Sequence, residues 1–245
     1  MTSALGSPPT TALQRQLAAA AVADLSVAGL YLPAGAGPEP IAGDFYDVLD
    51  LRPDRVALLV GDVAGHGAGA LAAMQRLRTA ARAAVVRESS PAAVLAALDT
   101  FMDGLGDEEY ATLWYGEYAP STGLLTYASA GHPPPALHTH GGVTVLAEAD
   151  APSLGTGMAH AAAAEHVVVL PPGSVLIAYS DGLIERRGTD FDAQLRLLGT
   201  VVDRACDPVQ VRSPESIAAE ILAALVPDPD HAEDDVCLLV VHRQP

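Results

Sequence analysis

At 245 residues the chain is long enough for one large domain or two small ones, each with a buried core. Half of its residues are hydrophobic and 18% are charged, a globular composition that excludes a disordered polyelectrolyte. The formal net charge of −17 argues against nucleic acid as a partner, and no run of about 18 apolar residues offers a membrane span.

Residues 1–12, around Ser7-Pro8-Pro9-Thr10, read as a flexible polar tail. Over residues 13–24, Leu13 and Leu17 stand four apart with Ala20 and Ala21 beyond, a spacing that predicts a short helix. Pro33–Pro40 is rich in proline and glycine and reads as a loop. Asp44–Leu51 and Arg55–Val60 are predicted strands of an antiparallel hairpin, turning at Arg52-Pro53-Asp54. After Gly65–Gly69, Leu71, Met74, Leu77, Ala81 and Val85 recur at helical spacing. Pro91 opens a second helix with Val94, Leu95, Leu98 and Met102 on one face. Short strands follow from Ala111 to Leu146, with turns at Pro120–Gly123, Gly131–Pro135 and Gly141-Gly142. His166–Leu170 and Ser174–Tyr179 read as a further strand pair joined by Pro171-Pro172-Gly173. Helices are predicted near Ala193–Arg204 and Pro214–Leu225, and an apolar strand, Val236–Val241, closes the chain.

Neither repeats nor a long interdomain linker interrupts residues 13–245, so they read as one domain. The order of elements predicts an α+β sandwich, antiparallel sheets packed together with helices outside. Cys206 and Cys237 match no zinc spacing and read as reduced structural thiols. With no basic and apolar secretory leader at the N-terminus, a cytoplasmic protein is expected.

A few aspartates carry the functional signal. The apolar run Val56–Val60 ends in Gly61-Asp62, and Val175–Tyr179 ends in Ser180-Asp181-Gly182. Val236–Val241 begins after Asp234-Asp235, and Asp44 opens its own strand after Gly43. In antiparallel sheets the end of one strand lies beside the start of its neighbour, so these carboxylates can gather at one edge of the core. Two unit charges about 4 Å apart repel by roughly 4 kcal/mol at an effective dielectric near 20, and a divalent cation reverses that sign. Oxygen-only donors select magnesium, manganese or calcium, and four acids suit a pair of ions that clamps a phosphoryl displacement. Aspartate is also common at strand ends merely because it caps turns. Position alone therefore leaves both readings open.

The motifs separate them. Ala42-Gly43-Asp44-Phe45-Tyr46-Asp47, Gly61-Asp62-Val63-Ala64-Gly65-His66-Gly67, Ser180-Asp181-Gly182-Leu183-Ile184-Glu185 and Asp234-Asp235 resemble the SpoIIE/RsbU branch of the PPM protein phosphatases. So do Thr122-Gly123-Leu124-Leu125-Thr126-Tyr127 and Ala130-Gly131-His132-Pro133-Pro134, and the likeness runs in order from about Leu13 to Val241. The resemblance implies a four-layer α-β-β-α sandwich with two Mn2+ or Mg2+ ions, or a third besides, at one end. Asp62 would bridge the pair, the Val63 carbonyl would bind one ion, and Asp44, Asp181 and Asp234 would complete the sites, with Asp62 and Asp44 as the catalytic pair. Asp235, Gly182 and His66 are weaker candidates; His66 tempts as a general acid but fits better as a loop residue. Glu185 beside Arg186 and Arg187 reads as a surface ion pair, and His132 as structural.

The implied activity is hydrolysis of phosphoserine or phosphothreonine by a metal-activated water. The implied substrate is an anti-sigma-factor antagonist of a bacterial partner-switching pathway. The helices following Gly67 and Pro91 are where the branch places its activity switch, offering a surface for a regulatory partner or a homodimer, and residues 13–24 would be a residual regulatory helix. Two other readings stay open: a catalytically silent phosphatase-fold binding module, and a hydrolase of small phosphate esters.

Overall fold

The computed structural model describes residues 2–6, 16–34, 43–51, 54–105, 109–148, 150–158, 163–185, 188–206, 212–229 and 232–245. One sheet contains β1 (Thr2–Gly6), β4 (Phe45–Asp50), β5 (Val56–Val63), β6 (Ala111–Ala119), β7 (Leu124–Ala130) and β10 (Asp150–Ala151) in that spatial order, with β11 (His166–Val169) also on β7. The other runs β2 (Gln16–Val22), β3 (Leu25–Leu32), β13 (Val236–Arg243), β12 (Val175–Tyr179), β8 (Ala136–Thr139), β9 (Gly142–Val145). All pairings are antiparallel except β7 with β10.

Strand alternation sends each sheet's side chains two ways, and both faces are buried. Tyr46, Val48, Leu58, Val60, Trp114 and Tyr127 meet Val27, Leu176, Leu239 and Val241 between the sheets. Phe45, Leu49, Leu59 and Leu113 turn outward against helices α1 (Gly67–Arg87) and α2 (Pro91–Asp103). On the second sheet Leu30, Ile177, Leu238 and Val240 take α3 (Phe191–Ala205) and α4 (Pro214–Leu225). The result is the expected α-β-β-α sandwich. Burial on both faces is why these strands read as unbroken apolar runs. Ser90, Asp190 and Ser213 cap α2, α3 and α4 with side-chain oxygens, and Pro91 and Pro214 occupy first-turn positions. Among the described residues, no helix is long and apolar enough to cross a membrane.

Three expectations are corrected. The helix expected over 13–24 is instead strand β2 from Gln16, turning at Ala23-Asp24 and pairing with β3 from Gln16↔Tyr31 to Val22↔Leu25; residues 13–15 lie outside the described residues. Alanine is the best helix former, but propensity is a weak preference, and the open edge of β3 supplies backbone partners that outweigh it. Residues 2–6 of the expected tail form β1 on β4; residues 7–12 lie outside the described residues. The segments around Pro171-Pro172-Gly173 are not one hairpin, because β11 pairs with β7 and β12 with β13 and β8. That turn carries the chain between sheets, which explains why β11 alternates in burial while β12 is buried throughout.

Candidate metal centre

The ends of both sheets bring the aspartates together. β5 continues three residues beyond its apolar run, so Asp62 lies within the strand, where sequence reading placed it after the end, and is paired with Thr112 on β6. Asp44 precedes β4, and β4 and β5 pair antiparallel from Phe45↔Gly61, which sets Asp44 beside Asp62. The Val63 N–H donates to the Gly43 carbonyl at 3.2 Å. A side chain at Gly43 would collide with the Val63 carbonyl oxygen and stand 2.8 Å from Asp62 Oδ1, so only glycine permits this approach.

The second sheet contributes through Ser180. Its hydroxyl donates to Asp44 Oδ2 at 2.6 Å and accepts from the Cys237 N–H at 2.8 Å, tying the start of β4 to β12 and β13. Sequence reading gave Ser180 no role; its only signal was its place beside Asp181. Asp181 opens a single 3-10 turn, Asp181–Leu183, whose following N–H groups return to its carbonyl. Gly182 packs against the Asp235 carbonyl so closely that a Cβ would overlap it, which makes Gly182 a close-packing residue between that turn and the start of β13. Asp234 is exposed and accepts the Asp235 N–H at 2.8 Å. Asp235 is buried and accepts the Ala34 N–H at 2.7 Å, so its carboxylate is engaged in holding a loop.

The electrostatics show how tightly the carboxyls share space. Burial, then the Asp181 charge, push Asp62 up to about 7, opposed by a hydrogen bond with the Asp44 carboxyl. Burial and the neighbouring Asp62 push Asp44 well above the usual carboxylate range, opposed by the Ser180 hydroxyl. Burial, Asp234 and Glu185 raise Asp181 to about 6. Asp235 is raised too, chiefly by burial. Burial and mutual repulsion thus bias Asp44 and Asp62 toward the protonated form, a bias that a bound cation would oppose. Among the described residues, no group of three His, Cys, Asp or Glu side chains stands close enough together to hold an ion as placed. The donors are all oxygen, half-buried and mutually repelling, and that chemistry fits hard divalent cations.

His66 stands apart from this group: it is exposed at the start of α1 and makes no side-chain capping bond. Glu185 is exposed and acts on Asp181 through its charge; Arg186 and Arg187 lie outside the described residues. The buried Asp47, absent from the expected site, accepts from Arg82 Nε at 2.6 Å and Nη2 at 3.0 Å and from Arg78 Nε at 3.3 Å. It fastens α1 to β4 three residues beyond Asp44.

Known proteins share this fold. The chain is 31% identical to a structure of the RsbU and RsbW domains of a Mycobacterium tuberculosis protein, with a TM-score of 0.79 over 90% of this chain and 60% of that one. The PP2C phosphatase domain of SpoIIE from Bacillus subtilis superposes with a TM-score of 0.72 at 16% identity, covering 95% of this chain and 72% of that one, a likeness of fold. Phosphoserine phosphatase RsbP of Bacillus subtilis is 25% identical over 208 residues, and protein IcfG of Synechocystis is 25% identical over 234. These alignments cover 82% and 83% of this chain, which spans only 49% of RsbP and 36% of IcfG. The family model described as Stage II sporulation protein E (SpoIIE) matches residues 52–244, well over half of the sequence, and the chain belongs to that family, in the SpoIIE/RsbU branch of the PPM phosphatases.

Proposed function

We propose that this chain is a divalent-metal-dependent protein phosphatase acting on phosphoserine or phosphothreonine of an anti-sigma-factor antagonist. The observation that carries this reading is the shared field of Asp44, Asp62, Asp181 and Asp234 where the two sheets meet. Asp44, Asp62, the Val63 carbonyl, Asp181 and Asp234 would hold two Mn2+ or Mg2+ ions. Support for that metal class comes from the PstP catalytic domain, solved with two manganese ions, whose fold is shared at a TM-score of 0.64. When bound, such ions lower the pKa of water and neutralise phosphoryl charge.

The protein's own contribution is preparation. To bind an ion, Asp44 and Asp62 would have to ionise, and the Ser180 hydroxyl holds Asp44 in orientation. Gly43 holds the Val63 carbonyl and Asp62 in register, and the 3-10 turn presents Asp181. The name of RsbP supports a phosphoserine substrate. The RsbU and RsbW domains joined in one neighbouring structure support a partner-switching setting. The bond network between α1 and Asp47 supports a regulatory role for α1 and α2, through a partner protein or a second copy.

The test is hydrolysis of a phosphorylated antagonist protein with Mn2+, with and without chelator, by wild type and Asp62→Asn. Chelator-sensitive turnover that the variant lacks is expected. Equal activity of the two would remove Asp62 from the site. Turnover only of small esters, or none at all, would favour the metabolite hydrolase or the silent binding module.

A further inference from the structure

His132 lies in the crossover from β7 to β8 and is 5% exposed. Its Nδ1 stands 2.8 Å from Thr112 Oγ1. Nε2 is enclosed without a partner at bonding distance among the described residues, and the Tyr179 backbone lies close to the ring. The Ser129 hydroxyl donates to the His132 carbonyl at 3.2 Å, fixing the backbone beneath the ring. Thr112 in turn is the residue of β6 directly opposite Asp62. Side chains so paired share a face, with Cβ atoms about 5 Å apart.

The imidazole is deeply buried, which pushes its pKa down to about 3, so the ring is neutral and carries one N–H. An Nε2–H tautomer, with its proton on the side of the Tyr179 backbone, leaves Nδ1 to Thr112. Nδ1 is then a bare acceptor, and the Thr112 hydroxyl donates to it. With its single proton so directed, Thr112 presents only lone pairs toward Asp62. A hydroxyl donating to Asp62 would occupy carboxylate lone pairs that a cation needs.

We propose that His132 is a positioning residue for the cation site: by accepting the Thr112 hydroxyl proton it keeps the Asp62 carboxylate free to bind a divalent ion. This inference rests on the reading of Asp62 as a metal ligand. It makes the histidine's effect conditional on the threonine hydroxyl, which a purely structural role would not.

Mn2+ binding by isothermal titration calorimetry, with melting temperatures alongside, tests it on wild type, Thr112→Val, His132→Phe, His132→Asn and the double variant Thr112→Val/His132→Phe. His132→Phe keeps the ring volume without an acceptor and raises the Mn2+ dissociation constant about 10-fold, the low end for groups that orient metal ligands. Thr112→Val binds like wild type, and the double variant returns to within about threefold of it, because no hydroxyl remains to compete. His132→Asn, with an acceptor oxygen near the Nδ1 position, falls between wild type and His132→Phe. A double variant as weak as His132→Phe, or a His132→Phe protein that binds like wild type, overturns the proposal. Nitrogen-15 NMR of the wild-type ring supplies a check that needs no folded variant: the Nε2–H tautomer is expected at pH 7, and the Nδ1–H tautomer overturns the idea. Asp62→Asn separates the two levels. If it binds Mn2+ as wild type does, the ligand reading itself fails; if it loses Mn2+ while the histidine variants bind normally, only the role of His132 falls.

Discussion

Replacing Gly43 by alanine adds one methyl group at the most constrained point of the site. The new Cβ would overlap the Val63 carbonyl oxygen, lie 3.0 Å from its carbon and stand 2.8 Å from Asp62 Oδ1, where ordinary contacts begin at 3.4 Å. Asp62 must therefore withdraw by at least about 0.6 Å, and the Val63 carbonyl by more, since both neighbours are pinned: Val63 through its bond to Gly43 and Asp62 through the β5–β6 ladder. A displacement near 1 Å at a reacting centre costs about 100-fold in rate, and overpacking a tight site costs about 1–3 kcal/mol of stability. Gly43→Ala is expected to lose about 100-fold in Mn2+-dependent kcat/KM on a phosphoprotein, with a lower urea midpoint. Gly69→Ala is the control: nothing lies within 4 Å of a Cβ there, inside α1, so it gains about 0.5–1 kcal/mol and keeps its activity. A Gly43→Ala enzyme with wild-type kcat/KM and Mn2+ affinity would refute the claim that this contact sets Asp62.

Asp62, raised to about 7, binds its proton more tightly in the folded chain than in the unfolded one. Its ionisation therefore costs metal-free stability progressively from about pH 4 to 7. In chelator, Asp62→Asn should melt above wild type at pH 8 and level with it at pH 4; no gain at pH 8 contradicts the shift. Mn2+ binding should release protons at pH 6 and none at pH 8.5, read by calorimetry in buffers of different ionisation enthalpy. Arg82→Ala removes the shortest ion-pair contacts of the buried Asp47 and should cost about 3 kcal/mol in urea unfolding. Asp235→Asn keeps an oxygen for the Ala34 N–H and should retain Mn2+ affinity, whereas Asp234→Asn should weaken it about 10-fold or more, measured by calorimetry.

The layers were legible because each rests on local pattern. Leu71, Met74, Leu77, Ala81 and Val85 make a helix face in any context, and Val56–Val60 can only be a strand buried on both sides. The failures lie where tertiary pairing decides. Leu17 to Ala21 fits a helix stripe and an edge strand equally, and the need of β3 for a neighbour chose the strand. The turn at Pro171-Pro172-Gly173 looks the same whether it joins partners or changes sheets. For the site, glycine-flanked aspartates at strand ends were readable. The long-range Ser180–Asp44 bond and the His132–Thr112 contact were not, because a single sequence carries no trace of which distant hydroxyl meets which side chain. Asp47 was hidden for the opposite reason: an acid inside an apolar strand looks like one more surface residue until two arginines of α1 close over it.

The arrangement also explains why acids that repel one another can be held at all. The cost is carried by the sandwich, since Phe45, Val60, Tyr179 and Val236 are buried immediately beside the carboxylates and set the strand ends regardless of charge. It is further reduced by protonation, which burial favours at Asp44 and Asp62. On the proposed reading, cation binding would exchange a proton for a divalent ion at positions set by Gly43, Ser180 and Gly182. The site's affinity is governed by pH and by whatever controls the hydrogen bonds around Asp44 and Asp62, and so by the sheet ends and α1, not by the loops alone.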